Sequence, residues 1–507
     1  MGRCGKAQLA RRAALGHVSR MVALAIIVAT LAMLWLLGRW LTGRRNRAGI
    51  TTSVTARALQ VGGLATRSTA RKAALRLRQT LASRDKRRVL QEAYQLKTAE
   101  EAAQLMGQMK GVFMKLGQIA SFAKESLPPE ARAALAHLQQ DAPPMAFALV
   151  EEQVVRELGG PLSRHFSDFD AVPLAAASIG QVHRARLHDR RDVAVKVQYP
   201  GVDEAIRSDL RFTRGLVSMG AMFFPNGDSN AMVGELKARL EDELDYTLEA
   251  QNQAVFGAIW AGHPLIRIPR VLPALCTRRV LVQDFVAGLA FDDFIAAAEP
   301  DEKRLAFHVM NDFVFDLMYF FECFNGDPHP GNYLFHDDGG ITFLDFGCVK
   351  RVPSAFMADM RDLNRAIVEE DMPLFERALR ATRIVLPGRP LDRDAAWEFF
   401  QYHARPFAKD EVFTFTPEYL REAGEVMRLS SVRRFNLPPD LLFFNRITFG
   451  LNAIFERLGA RANFHQMYRR YIYLDRDVPP SLAQAGVALP DRFLPSRPWV
   501  EIVERPT

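Results

Sequence analysis

The chain has 507 residues, with 66 Lys or Arg against 58 Asp or Glu, and 49% of it is hydrophobic. At the usual ~150 residues per domain this length allows roughly two to four units, which excludes a single small module and leaves room for a substantial core. Four cysteines, Cys4, Cys276, Cys323 and Cys348, show neither paired nor metal-ligand spacing; no disulfide or zinc site is expected, and a reducing compartment is implied for the folded part.

Charge is unevenly spread along the chain. Residues 1–84 hold 16 Lys or Arg and no acid, leaving 50 basic residues against all 58 acidic ones in the remainder. Such a leader would suit nucleic acid, but "MVALAIIVATLAMLWLLG" at 21–38 interrupts it without a single charge. That length lies at the short end of the ~17 to 25 residues that span a bilayer. It is followed by "GRWLTGRRNR" and no small-residue cleavage site, so the segment reads as a transmembrane anchor rather than a signal-peptide core. Residues 1–20 then form a basic tail and 39–88 a basic tether beside anionic headgroups, with Trp35 and Trp40 near an interface. The partner implied is a membrane lipid, not nucleic acid.

A helical extension is predicted over 89–145, where Leu105, Met109, Val112, Leu116 and Ile119 form an apolar stripe. Lys115 and Gln118, three apart, share a neighbouring face. Residues 173–198, "PLAAASIGQVHRARLHDRRDVAVKVQ", read as a β-hairpin with Lys196 in its second strand. Laid on the kinase pattern G-x-G-x-x-G-x-V, the first two glycines fall on Ala175 and Ala177, while Gly180 and Val182 fit. Ala175, Ala176, Ala177, Ser178, Gly180, Val182 and Lys196 are therefore the nucleotide-binding candidates. A Cβ on the alanines disfavours the positive-φ backbone that wraps a triphosphate, so the grip should differ from that of an ordinary kinase.

Residues 233–253 are expected to form one helix, with Val233, Leu236, Leu240, Leu244 and Leu248 at three- and four-residue steps. Glu243, Asp245 and Glu249 are its candidates for reaching Lys196. Farther on, "GDPHPGNYLFHDDGGITFLDFG" (326–347) places two strand-forming runs around a positive-φ turn. That hairpin returns Asn332 and Asp345 to one edge, with Asp327 in the preceding loop. The spacing is that of the kinase D-x-x-x-x-N loop and D-F-G. Asn332 and Asp345 supply the hard oxygens that suit Mg²⁺, and Asp327 remains to orient or deprotonate a nucleophile.

With these motifs in hand the chain resembles the UbiB-like, aarF-domain atypical kinases. "FMKLGQ" (113–118) is similar to their K-x-G-Q signature, "AAAS" to their alanine-rich loop, "ELDYTLEA" to their E-x-D stretch, and "LPPDLLFFNRITFGLNAIFERLGA" near the C-terminus is also family-like. The resemblance implies an α+β, two-lobed protein kinase-like fold with an N-terminal helical extension and a single N-terminal transmembrane helix. Its N-lobe would occupy 146–287 and its C-lobe 288–474, with an irregular, proline-containing tail at 475–507.

The resemblance also assigns Glu243 as the partner of Lys196, with Asp245 and Glu249 as companions, and lays the helix of Lys115 across the acceptor cleft. Lys196, Glu243, Asp327 and Lys115 would then be the catalytic set. The implied function is a membrane-anchored kinase or ATPase that binds Mg-ATP and supports coenzyme Q or other isoprenoid-lipid metabolism, with prenyl quinones and lipid-biosynthesis enzymes as partners. A small-molecule phosphotransferase and a nucleotide-binding pseudokinase scaffold are the alternatives. Basic residues balance across the anchor, so ATP sets the orientation: the body would face the cytoplasm at a bacterial inner membrane, or the matrix in a mitochondrion.

Overall fold

The computed structural model describes residues 145–177, 179–210, 228–426, 435–436, 438–475 and 477–494. The expected anchor at 21–38, the extension helix with Lys115 and Gln118, and Ser178 lie outside them. Among the described residues no helix is long and apolar enough to cross a membrane.

The main unit begins with α1 (Phe147–Leu158) and the short α2 (Leu162–His165), then β1 (Phe166–Phe169), β2 (Ala175–Ala176), β3 (Gly180–Leu187) and β4 (Asp192–Gln198). α3 (Val202–Leu210) follows, and Gly201–Asp209 is set apart from this unit. The main unit resumes with α4 (Ser229–Glu243), α5 (Tyr246–Ile259), β5 (Ile266–Arg267) and β6 (Val280–Asp284).

An antiparallel sheet runs β1-β3-β4-β6, with β2 added to β3. The alternation in β4 is that of a half-buried strand: Val193, Val195 and Val197 are fully buried. Lys196 lies opposite Val182 on one side and Leu281 on the other, so these three share the opposite face.

The single helix expected over 233–253 is two. α4 stops at Glu243, and Asp245 turns to an extended backbone (φ −124°, ψ 94°) and accepts a 3.0 Å bond from the Thr247 amide to start α5. An aspartate at this position is a strong N-cap, and it overrides the apolar repeat running through it. Asp245 also pairs with Arg278 at 3.5 Å, so it caps and braces α5 rather than accompanying Lys196.

The C-terminal lobe continues with β7 (Leu289–Ala290), α6 (Phe291–Ala297), α7 (Pro300–Phe320), β8 (Cys323–Asn325), β9 (Tyr333–Phe335), β10 (Ile341–Phe343), β11 (Val349–Arg351), α8 (Ser354–Val368), α9 (Met372–Ala381), α10 (Arg393–Ala408), β12 (Phe413–Thr414), α11 (Pro417–Val426), α12 (Pro439–Arg457), β13 (Arg461–Ala462), α13 (Phe464–Ile472) and α14 (Ser481–Gln484). α7 starts on a reciprocal Glu299–Glu302 capping box and runs through the core, with Phe307, Met310, Leu317 and Met318 fully buried. A second sheet is ordered β5-β10-β9-β7. Its edge β5 pairs in parallel with β10, so Ile266–Arg267 joins this lobe although it precedes the lobe boundary expected at 287.

As far as residue 494 the described tail holds only α14 and a three-residue turn at Asp491–Phe493, but it is docked on the C-terminal lobe. Asp312 in α7 accepts the Ser481 and Leu482 amides at 2.9 and 2.8 Å, Leu482 and Phe493 are buried, and Phe493 stacks on Trp260 with centroids 6.0 Å apart. Two apolar side chains and a buried acceptor fix a segment whose prolines suggest only turns; each such burial stabilises by ~1.5–3 kcal/mol.

Candidate active site

Lys196 is held at the centre of the cleft. Its Nζ donates to Glu249 Oε1 at 2.7 Å and lies 3.7 Å from Asp345 Oδ2. The Tyr246 ring, whose centroid is 5.1 Å from Nζ, closes the site from α5. The ion pair expected with Glu243 is therefore made by Glu249. The helix break explains the change: Glu243 ends α4, while Glu249 stands in the first turn of α5, 3% exposed and facing Lys196.

Burial works against charge on both partners. For Lys196 the carboxylates of Asp345 and Glu249 outweigh it, so its pKa is raised well above the usual value and the ammonium persists. Burial pushes the Glu249 carboxyl up to about 7 against the pull of Lys196. The result is a lysine with a fixed head and a second, half-exposed carboxylate beside it. That arrangement aims a positive charge at whatever anion enters the cleft.

The loop over the cleft is built differently from a glycine-rich one. Ala175 and Ala176 pair with Val182 and Gln181, and the Ala177 amide donates to Gly180 O at 2.8 Å. None of the three alanines has a positive φ. The alanine backbone thus hydrogen-bonds within its own hairpin, which leaves the Ala177 amide engaged inside the fold. Gly180 is required for a different reason: a Cβ there would come within 2.3 Å of Val197 O and 2.9 Å of Tyr246 Oη. Val182, opposite Lys196, faces the same side of the sheet.

The hairpin brings its three polar residues together as the spacing predicts. Leu344 N donates to Asn332 O at 3.0 Å, closing the neck beside Asp345. Asn332 Nδ2 donates to Asp327 O at 3.1 Å, turning its carbonyl oxygen the other way. Gly326 N donates to Cys348 O at 2.6 Å, and Asn325 takes both ends of the site: its Oδ1 accepts from Asp327 N at 3.1 Å and its Nδ2 donates to Asp345 O. Asp345 Oδ1 accepts from Gly347 N at 2.9 Å. Phe346 is fully buried against Phe256 of α5, 5.0 Å between centroids, and its carbonyl accepts from Asn252 Nδ2 at 3.2 Å. The D-F-G is thereby locked to the helix that carries Glu249.

Several participants were not foreseen from the motifs. Arg446 on α12 donates to Asp327 Oδ1 at 2.5 Å, with only 7% of its side chain exposed. Burial works to lower the Arg446 pKa, but the Asp327 carboxylate outweighs it and raises it. The same helix face meets the loop at two more points. A Cβ on Gly326 would touch Phe443 at 3.5 Å, and one on Gly450 would strike Pro328 at 2.4 Å. Phe443, Arg446 and Gly450, at steps of three and four, thus press on three successive loop residues. An arginine inside "LLFFNRITFG" was the available signal, since a charge in an apolar run must be paired when buried. Tyr246 and Asn325 carry no motif and gave none.

The donor set would suit a magnesium ion: one carboxylate, Asp345, and one amide oxygen, Asn332, with phosphate oxygens and water left to supply the rest of the shell. Among the described residues no cluster of three or more His, Cys, Asp or Glu could hold a metal without such help.

A family model described as the ABC1 atypical kinase-like domain matches residues 137–378. The AarF domain-containing protein kinase 1 of Xenopus laevis is 29% identical over 401 residues, covering 77% of this chain and 75% of that protein. An Arabidopsis thaliana protein, Activity of bc1 complex kinase 1, chloroplastic, is 35% identical over 271 residues, which cover 50% of this chain and 38% of its own length. Among solved structures, a Mycobacterium tuberculosis protein in complex with erythromycin matches with a TM-score of 0.55 and 30% identity, over 73% of this chain and 94% of that one.

Proposed function

This chain belongs to the ABC1 atypical kinase-like family, and on that premise we propose that it binds Mg-ATP in the cleft between Lys196 and Asp345 and cleaves its terminal phosphoanhydride. The observation that carries the reading is the single network Glu249–Lys196–Asp345, in which the strand lysine, the helix glutamate and the D-F-G aspartate are already assembled.

Lys196 holds the α- and β-phosphate oxygens, and Glu249 fixes its head so that little ordering remains when nucleotide enters. Asp345 and Asn332 hold the magnesium ion, which when bound neutralises charge on the phosphates. Asp327 orients the attacking oxygen. Because one of its oxygens already accepts from Arg446, it is a weaker proton acceptor than an unpaired carboxylate, and this favours positioning over deprotonation.

The expected charge-free segment at 21–38, in a basic leader, supports a membrane anchor, and the resemblance to the UbiB-like kinases suggests work in coenzyme Q or other isoprenoid-lipid metabolism, at a bacterial inner membrane or the inner mitochondrial membrane. Prenyl lipids and their biosynthetic enzymes are the proposed partners. Product analysis with purified full-length protein tests the chemistry. Free phosphate supports an ATPase, a phosphorylated small molecule supports a phosphotransferase, and neither leaves a nucleotide-binding scaffold. Carbonate extraction tests the anchor: a chain that washes off membranes does not span them.

A further inference from the structure

The last turn of α5 is completed by the far end of the chain. A helix leaves its final carbonyls without intrahelical donors. Two of these in α5 accept from Arg492 Nη2, Ala258 O at 3.3 Å and Ile259 O at 3.1 Å. A guanidinium here also meets the negative pole of the helix dipole. Phe493, the next residue, stacks on Trp260 with the rings inclined by 11° and meets the His263 ring edge-on, 4.7 Å between centroids. Both side chains are presented by the one turn Asp491–Phe493.

The other end of the same segment is fastened to the C-terminal lobe. Besides the Ser481 and Leu482 amides held by Asp312, Ser481 Oγ donates to His308 O at 3.3 Å and accepts from Asn311 Nδ2 at 3.3 Å. Arg470 of α13 donates to Val478 O at 3.1 Å. Residues 478–493 thus run as a strap from α7 and α13 to the end of α5. Glu249 lies about 15 Å along that helix from Ile259, at ~1.5 Å per residue. It holds Lys196 on one side, and on the other its Oε2 lies 3.3 Å from where a Cβ on Gly347 of the D-F-G would stand.

We propose that residues 478–493 are a latch on the glutamate helix, and that Arg492 is a positioning residue for the Glu249–Lys196 pair, acting through α5. A helix of this length is marginal without tertiary support. Asp245 caps its start, Asn252 and Phe256 tie its middle to the D-F-G, and the latch closes its last turn, so Glu249 is held from both sides. Opening the latch lets the last turn fray and the rest of α5 tilt, which lengthens the 2.7 Å contact that fixes the Lys196 head. The effect on nucleotide rests on the reading above; the latch itself does not.

The test uses the full-length chain with Arg492→Met, which keeps the side-chain stem and removes its donors, beside Arg492→Lys, which restores donors and charge. Hydrogen exchange is read first, without nucleotide. Arg492→Met is expected to speed exchange over α5 from its last turn back to the turn of Glu249, and Arg492→Lys to reverse most of that change. Exchange that is unchanged, or faster in the last turn alone, overturns the latch. Mg-ATP affinity by calorimetry should fall roughly 2- to 30-fold in Arg492→Met and recover in Arg492→Lys. It should fall no further when Arg492→Met is added to Glu249→Gln, since the one acts through the other. Ile384→Val, a truncation in the separate core around α8, α9 and α10, should lower the thermal midpoint and leave affinity unchanged. Losses that add in the double variant, or an equal loss in Ile384→Val, overturn the positioning role. Should Arg492→Met not fold, Phe493→Leu, which loses the stack on Trp260, is read by the same criteria. If the natural chain binds no Mg-ATP, the nucleotide reading fails and exchange alone decides: faster exchange reaching the turn of Glu249 supports the latch, and unchanged exchange overturns it.

Discussion

Arg446 and Asp327, 119 residues apart, form a buried ion pair in which Nη2 lies 2.5 Å from Oδ1. A charge so enclosed is tolerated only because its partner is there, so the pair binds the C-terminal helix to the catalytic loop.

Removing one member leaves the other stranded. Arg446→Met should destabilise the protein by ~3–5 kcal/mol, a typical cost for breaking a buried pair. Arg446→Lys should retain the fold but lower the turnover rate while leaving nucleotide affinity nearly unchanged, because it keeps the charge and loses the guanidinium fork that orients Asp327. Denaturant titration and steady-state kinetics with separate kcat and KM values check both. A loss of affinity at constant kcat would show that Arg446 acts on nucleotide instead.

The two glutamates at the break between α4 and α5 can be told apart. Glu249→Gln removes the charge that holds Lys196 and should weaken ATP binding by roughly 10- to 100-fold, the equivalent of a charge-assisted hydrogen bond of ~1.5–3 kcal/mol. Glu243→Gln should leave the Lys196 head in place and change affinity far less. Calorimetric titration of the two variants side by side decides it, and the reverse ranking would restore the pairing that the sequence motif suggests.

Which features were legible follows from how locally they are encoded. The 326–347 hairpin, with Gly339 at φ +80° in its turn, and the strand carrying Lys196 were readable because turn chemistry and period-two alternation are properties of adjacent residues. The Glu249 assignment was not, because a one-residue cap at Asp245 resets the helical phase and the apolar repeat conceals it. Arg446 and the docked tail were hidden for another reason: their partners, Asp327 and Asp312, are more than a hundred residues away. The anchor at 21–38 and Lys115 fall outside the described residues and stand as the sequence reads them.

The alanine loop and its glycine should respond differently to substitution. Gly180→Ala forces a Cβ into Val197 O and should cost about 1–3 kcal/mol in stability by overpacking. Ala177→Gly relieves no strain, since Ala177 has an ordinary φ, and should lower stability by only about 0.5–1 kcal/mol. It should nonetheless alter the ratio of ATP to ADP affinity, because a freer backbone can release the amide now bound to Gly180. Thermal melts and nucleotide titrations measure the two effects, and an unchanged ATP to ADP ratio would remove the loop from nucleotide selection.

Asp312 gives the fold a pH dependence. Burial raises its pKa to about 7, with Asp316 adding to the shift and the Leu482 and Ser481 hydrogen bonds opposing it. The folded protein therefore binds a proton that the unfolded chain releases near its ordinary value. Asp312 contributes stability that is fully present below about pH 4 and is lost as pH rises through about 7, on the order of a few kcal/mol in all. Asp312→Asn should flatten that part of the profile and cost ~1–3 kcal/mol at low pH, since one of the two amides then faces an amide nitrogen. Melting curves from pH 5 to 8 compare the two, and parallel profiles would show that Asp312 does not titrate in this window.

Titration of Mg-ATP into the natural chain and into Asp345→Asn addresses the nucleotide site itself. The variant keeps the Gly347 hydrogen bond within reach of its amide oxygen but removes the charge a bound cation requires. We expect tight, magnesium-dependent binding to the natural chain and the loss of its magnesium dependence in Asp345→Asn, with the folded state intact by circular dichroism. Equal affinity of both proteins for Mg-ATP, or no binding by either, would contradict the assignment of this cleft as a magnesium-nucleotide site.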